Sequence, residues 1–429
     1  MIFWQEFRIL NGSFILQAKH KMIILPTFYD VGTSIKRHFR PLSWIMSFVF
    51  IQLITAFQTA RAESFCQSEN IKIDWQFESG AISECQFSDD GKVRLSIKPE
   101  NLPINSSPWY AFSVSAKEPE SVNITLLINN GKPRYLPKRS TDKKTWQPVT
   151  HQIEQDKLIF SINATKEKQY VAGQELLVSD YYQDWFSRYG VIEKNGVSKL
   201  GESTQGRAVY AMQRLALPES KEWLIILGRQ HPPEVTGAMA LLLFVDELLL
   251  NSPLNQQFLK RFNLLVIPLL NPDGVAAGNW RHNANGIDLN RDWVYFSQKE
   301  TQLVKTKLDE ITSNGGKIVF AIDFHSTWND VFYTMPTDYG IRPAMFVEHW
   351  LNTLAEQVAA QKLDFEVIQK PGSSPGKGVF KQFIADTYGV HAITYEMGDN
   401  TDRLVIKQVA QLAASNLMSN MLELGKDQF

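Results

Sequence analysis

Apolar residues follow two different rhythms along this chain. Between Phe65 and about Glu175 they come in short alternating runs, VRLSI (93–97), YAFSVSA (110–116) and NITLLIN (123–129). A period of two turns alternate side chains to one face, which predicts half-buried strands. SDDGK, PENLPINSSP and NNGKP separate the runs, and their Gly, Pro, Asn and Asp residues supply the backbone conformations that tight turns need. The spacing predicts a smaller antiparallel β-sandwich domain over residues 63–175.

From Ser179 the apolar runs become continuous: WLIIL (223–227), LLVIPLL (264–270), IVFAIDF (318–324) and HAITY (391–395). Unbroken runs mark strands covered on both faces. They alternate with stretches of helical periodicity at 235–250, 298–312, 342–361 and 403–424. That alternation predicts an α/β domain over 176–429, a mixed sheet flanked by helices.

The first 62 residues have another character. Lys36, Arg37, His38 and Arg40 precede the apolar WIMSFVFIQLITAF (44–57), and TARA closes at Ala62 with Ala60 and Ala62 in an A-x-A arrangement. Basic flank, short apolar run and small-residue exit predict a secretory signal peptide, and hence a periplasmic or secreted protein with no stable membrane insertion once the leader is removed. An uncleaved anchor is the alternative, although the run is short against the roughly 20 residues of a membrane span. Residues 1–35 fit neither description, Met22 is a candidate start, and 1–62 is set aside as an N-terminal extension. The two cysteines, Cys66 and Cys85, follow the proposed cleavage point. Export favours a disulfide between them; two free buried thiols are the alternative. Three glycosylation sequons, at Asn105, Asn123 and Asn163, matter only in a eukaryotic secretory pathway. With 44 basic and 45 acidic residues, the chain has no electrostatic footprint for nucleic acid.

Ligands bind beyond the carboxyl ends of strands in open α/β sheets. WLIIL leads into GRQHPPEVTG, which carries His231 and Glu234 around two prolines. By itself that stretch also describes an ordinary surface loop opening a helix. LLVIPLL leads to NPDG, then Arg281, and then Asn290 and Arg291 within GIDLNRDW; IVFAIDF is followed by His325 and HAITY by Glu396. Four strands thus bring two His, two Glu and two Arg to one edge. Catalytic zinc sites use three protein ligands and keep one position open, and His231, Glu234 and His325 supply such a set for one Zn2+. Glu396 is then free to act as a general base. Arg281 can stabilise an oxyanion, and Arg291 with Asn290 can grip a carboxylate. Asp288 is expected to support the Asn290–Arg291 loop, with His282 and His391 as bystanders. The sandwich region offers no catalytic cluster.

The order HPPE, NPDG…R, GIDLNRDW, DFHS, YEMG resembles the zinc carboxypeptidases of the carboxypeptidase A type, over roughly 179–429. LGESTQGRAVYAM (200–212) is similar to that family's opening segment. The branch it most resembles is the cytosolic carboxypeptidases and their bacterial relatives, which carry a β-sandwich ahead of the catalytic domain; DWQFESG (74–80) and SPWYAFSV (107–114) are similar to it. The resemblance implies zinc on His231, Glu234 and His325, Glu396 as general base and Arg281 as oxyanion helper. It implies that Asn290 and Arg291 anchor the free C-terminal carboxylate of a peptide, and that the chain is a metallocarboxypeptidase. A cell-wall peptide amidase or endopeptidase, or an aspartoacylase-type amidohydrolase, would use the same metal chemistry. A non-catalytic binding module is disfavoured because all three ligands and Glu396 are present.

Two departures stand out. The family's mobile tyrosine, on the loop before the catalytic glutamate, has no counterpart in PGSSPGKGVFKQF (371–383), whose Gly and Ser content predicts a flexible lid. An export signal also departs from the cytosolic branch, so tubulin-type substrates are not implied. In this family, residues of the same region line the pocket for the terminal side chain. Lys381, with Lys377 before it, would favour a terminal acidic residue; solvated lysines on a short helix are the other reading.

Overall fold

A computed structural model describes three short N-terminal strands, Arg8–Leu10, Ser13–Ala18 and Lys21–Ile24, and residues 64–425 apart from 90, 193–194 and 217–219. The leader expected at 36–62 lies outside the described residues. The three N-terminal strands pair antiparallel within a unit of their own, and Glu63–Phe429 forms a second unit.

The second unit begins with two packed sheets. Gln147–Pro148, Lys138–Ser140, Gln169–Ala172, Ala111–Ala116, Ile71–Asp74 and Phe65–Gln67 lie side by side in one. His151–Glu154, Lys157–Ala164, Glu120–Ile128, Val93–Ile97 and Glu84–Phe87 form the other. Alternation holds in Glu120–Ile128, where Val122, Ile124, Leu126 and Ile128 are buried, but not in Ala111–Ala116, which is covered on both faces. Pairing is antiparallel throughout with one exception. Val93–Ile97 runs parallel to Glu120–Ile128, because the chain crosses to the other sheet through Ala111–Ala116 before it returns. Cys66 and Cys85 form a disulfide that joins edge strands of the two sheets.

Nine strands make the sheet of the larger region. Its centre is four parallel strands in the order Phe262–Ile267, Glu222–Gly228, Lys317–Thr327, Ala392–Gly398. Antiparallel strands flank them, Ala208–Arg214 on one side and Val331–Thr334 on the other. The central strands are the four continuous apolar runs, and they are buried on both faces for the reason that pattern implies. Leu224 and Ile226 join one hydrophobic cluster with helices Val235–Leu248, Phe346–Ala360 and Arg403–Glu423. Ile225 and Leu227 join the opposite cluster with Lys299–Ser313 and Phe380–Tyr388. The 264–270 run stops as a strand at Ile267, where Pro268 removes a donor. Four helices of six to nine residues, Ser179–Ser187, Pro253–Arg261, Pro272–Ala277 and Phe380–Tyr388, are too short to declare themselves by periodicity. Among the described residues no single helix is long and apolar enough to cross a membrane.

Register positions the chemistry. Lys317–Thr327 and Ala392–Gly398 pair so that His325 lies directly opposite Glu396. The helix after Glu222–Gly228 packs tightly on the same strand. A Cβ at Gly237 would stand 2.1 Å from the His325 carbonyl oxygen, and the Gly237 N–H donates to Ser326 Oγ at 2.8 Å. Overpacking of this kind costs typically ~1–3 kcal/mol. Gly237→Ala should therefore lower the unfolding free energy by about that much, read from chemical denaturation; wild-type stability would overturn the close approach of helix and strand.

Candidate metal centre and active-site cavity

The first two candidate ligands depend on a forced turn. Arg229 leaves the strand with φ +56°, a left-handed conformation that a non-glycine residue holds only when its surroundings compel it. Its buried guanidinium supplies the compulsion, donating to Pro232 O at 2.9 Å, Leu177 O at 3.1 Å and Tyr182 Oη at 2.9 Å. The chain then presents His231, and Glu234 becomes the cap of the helix Val235–Leu248. His325 comes from the neighbouring strand.

These three side chains meet. His231 Nδ1 is 2.8 Å from Glu234 Oε1, His325 Nδ1 is 2.7 Å from Glu234 Oε2, and the two Nδ1 atoms are 3.2 Å apart. The outward nitrogens are engaged as well: His231 Nε2 with Asp288 Oδ1 at 2.9 Å, and His325 Nε2 with Asp323 Oδ2 at 2.6 Å. A carboxylate on each Nε2 fixes the proton there and turns the Nδ1 lone pair inward. Two inward lone pairs and a carboxylate are a donor set for a cation, and the residues fit one: a single ligand atom from each lies within 4.8 Å of the others, all buried. Burial opposes charge on His325, yet Asp323 and Glu234 outweigh it and hold its pKa well above the usual value. Burial likewise works against ionised Glu234, and His231 and His325 overcome it.

Glu396 faces the same point. Burial pushes its carboxyl up to about 7, and its Oε2 has no hydrogen-bond partner in the protein. A carboxyl near neutrality suits proton transfer, while a cation alongside would draw it down again. Asp288 does more than support its loop. It accepts from Asn290 N at 2.9 Å as expected, and its other oxygen accepts from Arg281 Nε at 2.7 Å. One carboxylate thus orients both His231 and Arg281. Asn290 Nδ2 lies 3.3 Å from His325 Nε2, and its Oδ1 accepts from Phe380 N. Arg291 is exposed, with Nη1 on Asn290 O at 2.6 Å.

The region 371–383 separates the two lysines. Lys377 is exposed. Lys381 is not on a solvated face: it is 6% exposed, and its Nζ donates to the carbonyls of Thr334 and Gly372. Burial pushes its pKa down to about 8. The segment expected as a lid is tied by Gly372 N to Thr334 O and by Ser374 N to Gln382 Oε1. At Gly378 (φ +66°) a Cβ would meet the Arg291 carbonyl at 2.1 Å.

All eight residues singled out from the sequence line one cavity of about 590 Å³. The sandwich region, where no functional cluster was expected, contributes Asn105, Ser106, Ser107 and Arg134 to its wall. His282 lies outside the cavity lining, and it donates to Glu100 of the sandwich through Nδ1. His391 bonds only the Pro343 carbonyl, as a bystander should. A slightly larger cavity of about 660 Å³, walled by Trp75, Phe77, Tyr182 and Phe186, holds none of these groups.

Residues 195–419 match the family model described as zinc carboxypeptidase, and residues 73–173 match that of the cytosolic carboxypeptidase N-terminal domain. The chain belongs to the zinc carboxypeptidase family. It is similar to cytosolic carboxypeptidase 6 of Mus musculus, 25% identical over 252 residues, covering 52% of this chain and 46% of that protein. It is also similar to cytosolic carboxypeptidase 2 of Xenopus tropicalis, 27% identical over 213 residues, covering 45% and 22%. The chain thus spans less than half the length of either relative. Solved metallo-carboxypeptidases from Burkholderia cenocepacia and Pseudomonas aeruginosa share the fold. Their TM-scores are 0.67 and 0.66 at 19% and 24% identity, over 82% and 81% of this chain and 98% of each of theirs. Zinc is the ion on which family and donor set agree.

Outer carboxylates that orient ligating histidines typically carry ~10–100-fold in metal affinity. Asp288→Asn should weaken zinc binding within that range, measured by competition against a chromogenic chelator. Wild-type affinity would remove Asp288 from the metal centre.

Proposed function

We propose that this protein is a metallocarboxypeptidase that hydrolyses the last peptide bond of peptides ending in a free carboxylate. One observation carries the reading: a zinc-type ligand triad, a partnerless carboxyl and two arginines converge on one cavity. Bound zinc supplies a Lewis acid and makes water acidic enough to attack near neutral pH. The chain's residues do the rest. Arg291 and Asn290 hold the terminal carboxylate of the substrate. Glu396 takes a proton from the attacking water and passes it to the leaving amine. Arg281, steadied by Asp288, offers positive charge to the oxyanion that develops on the scissile carbonyl. Asp288 and Asp323 keep both imidazoles in the ligating tautomer.

Lys381 defines the substrate class in this reading. Its ammonium has three donors, of which two serve backbone carbonyls, and the third is available to an acidic side chain on the terminal residue. Export is part of the proposal too. The leader-like sequence at 36–62 supports a periplasmic or secreted location, and the Cys66–Cys85 disulfide suits an oxidising compartment.

Glu396→Gln should keep its zinc and lose turnover by ~10²–10⁴-fold, read by metal analysis beside a C-terminal peptide assay. Full activity in that variant would strip Glu396 of its proton-transfer role. For Lys381 the sign follows from its depressed pKa: the ammonium is charged below about 8 and neutral above. Relative kcat/KM for Glu-terminated over Leu-terminated peptides should hold steady below pH 8 and decline above it. Lys381→Met should abolish the preference, a loss of ~10–100-fold. Unchanged selectivity in Lys381→Met would retire the assignment.

A further inference from the structure

The loop that carries Arg281 is held by a residue of the other domain. Glu100, just past the strand Val93–Ile97, aims its carboxylate at three successive backbone amides. Oε2 accepts from Trp280 N at 2.7 Å, and Oε1 from Arg281 N at 3.0 Å and His282 N at 2.8 Å. The His282 ring adds a fourth bond from Nδ1 at 2.7 Å. Successive N–H groups converging on an anion form a nest, and here the anion is built into the chain. The next residue continues the clamp: Asn101 Nδ2 donates to Gly286 O at 2.7 Å, where Gly286 has φ +73° and a Cβ would strike the Asn101 amide. Between these fixed points runs the segment from Arg281 to Asp288, whose two ends pair at 2.7 Å.

We propose that Glu100 is a positioning residue for catalysis, fixing the Arg281 backbone so that its guanidinium meets the oxyanion. The sandwich domain is then part of the catalytic apparatus. Glu100 itself touches no reacting atom; it acts through Arg281, and the inference rests on the role given to Arg281 above. Removing the carboxylate leaves three amides without their acceptor, and the loop is free to relax away from the cavity.

The test uses the full-length, zinc-loaded protein. Glu100→Ala should lower kcat at least tenfold while KM and zinc content stay within about twofold of wild type. Combined with Arg281→Ala it should add almost nothing to the loss from Arg281→Ala alone, since both changes remove the same interaction. Hydrogen exchange at the amides of 280–282 should accelerate in Glu100→Ala whatever the activity. Glu78→Ala, which removes another contact across the same seam, to Ser179, should leave kcat unchanged. Independent, multiplying effects of the two changes, or wild-type exchange at 280–282, would overturn the proposal. A Glu100→Ala enzyme with wild-type kcat beside a crippled Arg281→Ala enzyme would refute Glu100 alone. Full kcat in Arg281→Ala would instead sink the oxyanion role, and this inference with it.

Discussion

Everything in the cavity answers to one electrostatic demand: two imidazole lone pairs and a carboxylate are turned on the same buried point. The arrangement is costly to hold without positive charge at its centre. The protein surrounds it with more negative charge still. Four carboxyl groups, Glu234, Asp288, Asp323 and Glu396, lie within the cluster or directly against it, and Arg281 is the cation bonded into that network. A divalent ion and Arg281 offset three of the four. Burial without a hydrogen-bond donor on Oε2 holds the Glu396 carboxyl near neutrality; Glu234 and Asp288 are buried too, but His231 with His325 keeps the first low and His231 with Arg281 the second. Glu396 differs from the candidate ligands in what it lacks, a hydrogen-bond partner on its buried Oε2.

The scaffold meets the demand by register and close approach. Parallel pairing sets His325 level with Glu396, so the two residues cannot drift apart without breaking the sheet. The helix that begins at Glu234 is drawn against the same strand through a glycine and a serine. The separation of His231 and Glu234 is locked by two prolines and by the buried Arg229. Flexibility is removed at each candidate ligand by a different device, within the ladder for His325 and just past a strand end for His231 and Glu234.

This is why so much of the site could be read from sequence. Residues at the carboxyl end of a central strand of a parallel sheet share one region of space, so four strand ends sufficed to assemble seven residues on one cavity. The tertiary partners of that edge left no such trace. Glu100 meets the loop it holds across 182 residues of sequence, in a stretch that reads as turn chemistry. The parallel pair within the sandwich was equally hidden, because alternation reports which face of a strand is buried but not the direction of its neighbour. Lys381 was ambiguous for a related reason. Its helix is nine residues long, too few turns to say which side faces inward, and only the carbonyls of Thr334 and Gly372 settle the matter.

Strand ends that serve as a ligand site carry an inherent weakness, since beyond the last ladder bond the backbone carbonyls lose their partners. Arg134 of the sandwich addresses that weakness. Nε and Nη2 hold the Asp399 carboxylate, Nη2 also reaches the Ser326 carbonyl, and Nη1 returns to Ser106 O and Ser107 Oγ. A guanidinium has five N–H donors, and these contacts use all five. Although Arg134 lines the cavity, it has no donor left for a ligand carboxylate, whereas Arg291, which lines the same cavity, has. The two arginines therefore divide by valence: one is spent on joining the domains directly behind His325 and Glu396, the other remains open to a ligand. The acidic residues divide only in part the same way: both oxygens of Asp288 are engaged by the fold, whereas Asp323 keeps one buried oxygen and Glu396 its Oε2 without a hydrogen-bond partner. Arg134 and Asp288, with every donor or acceptor oxygen engaged, hold the geometry, and Arg291 and Glu396 keep polar atoms open to a ligand.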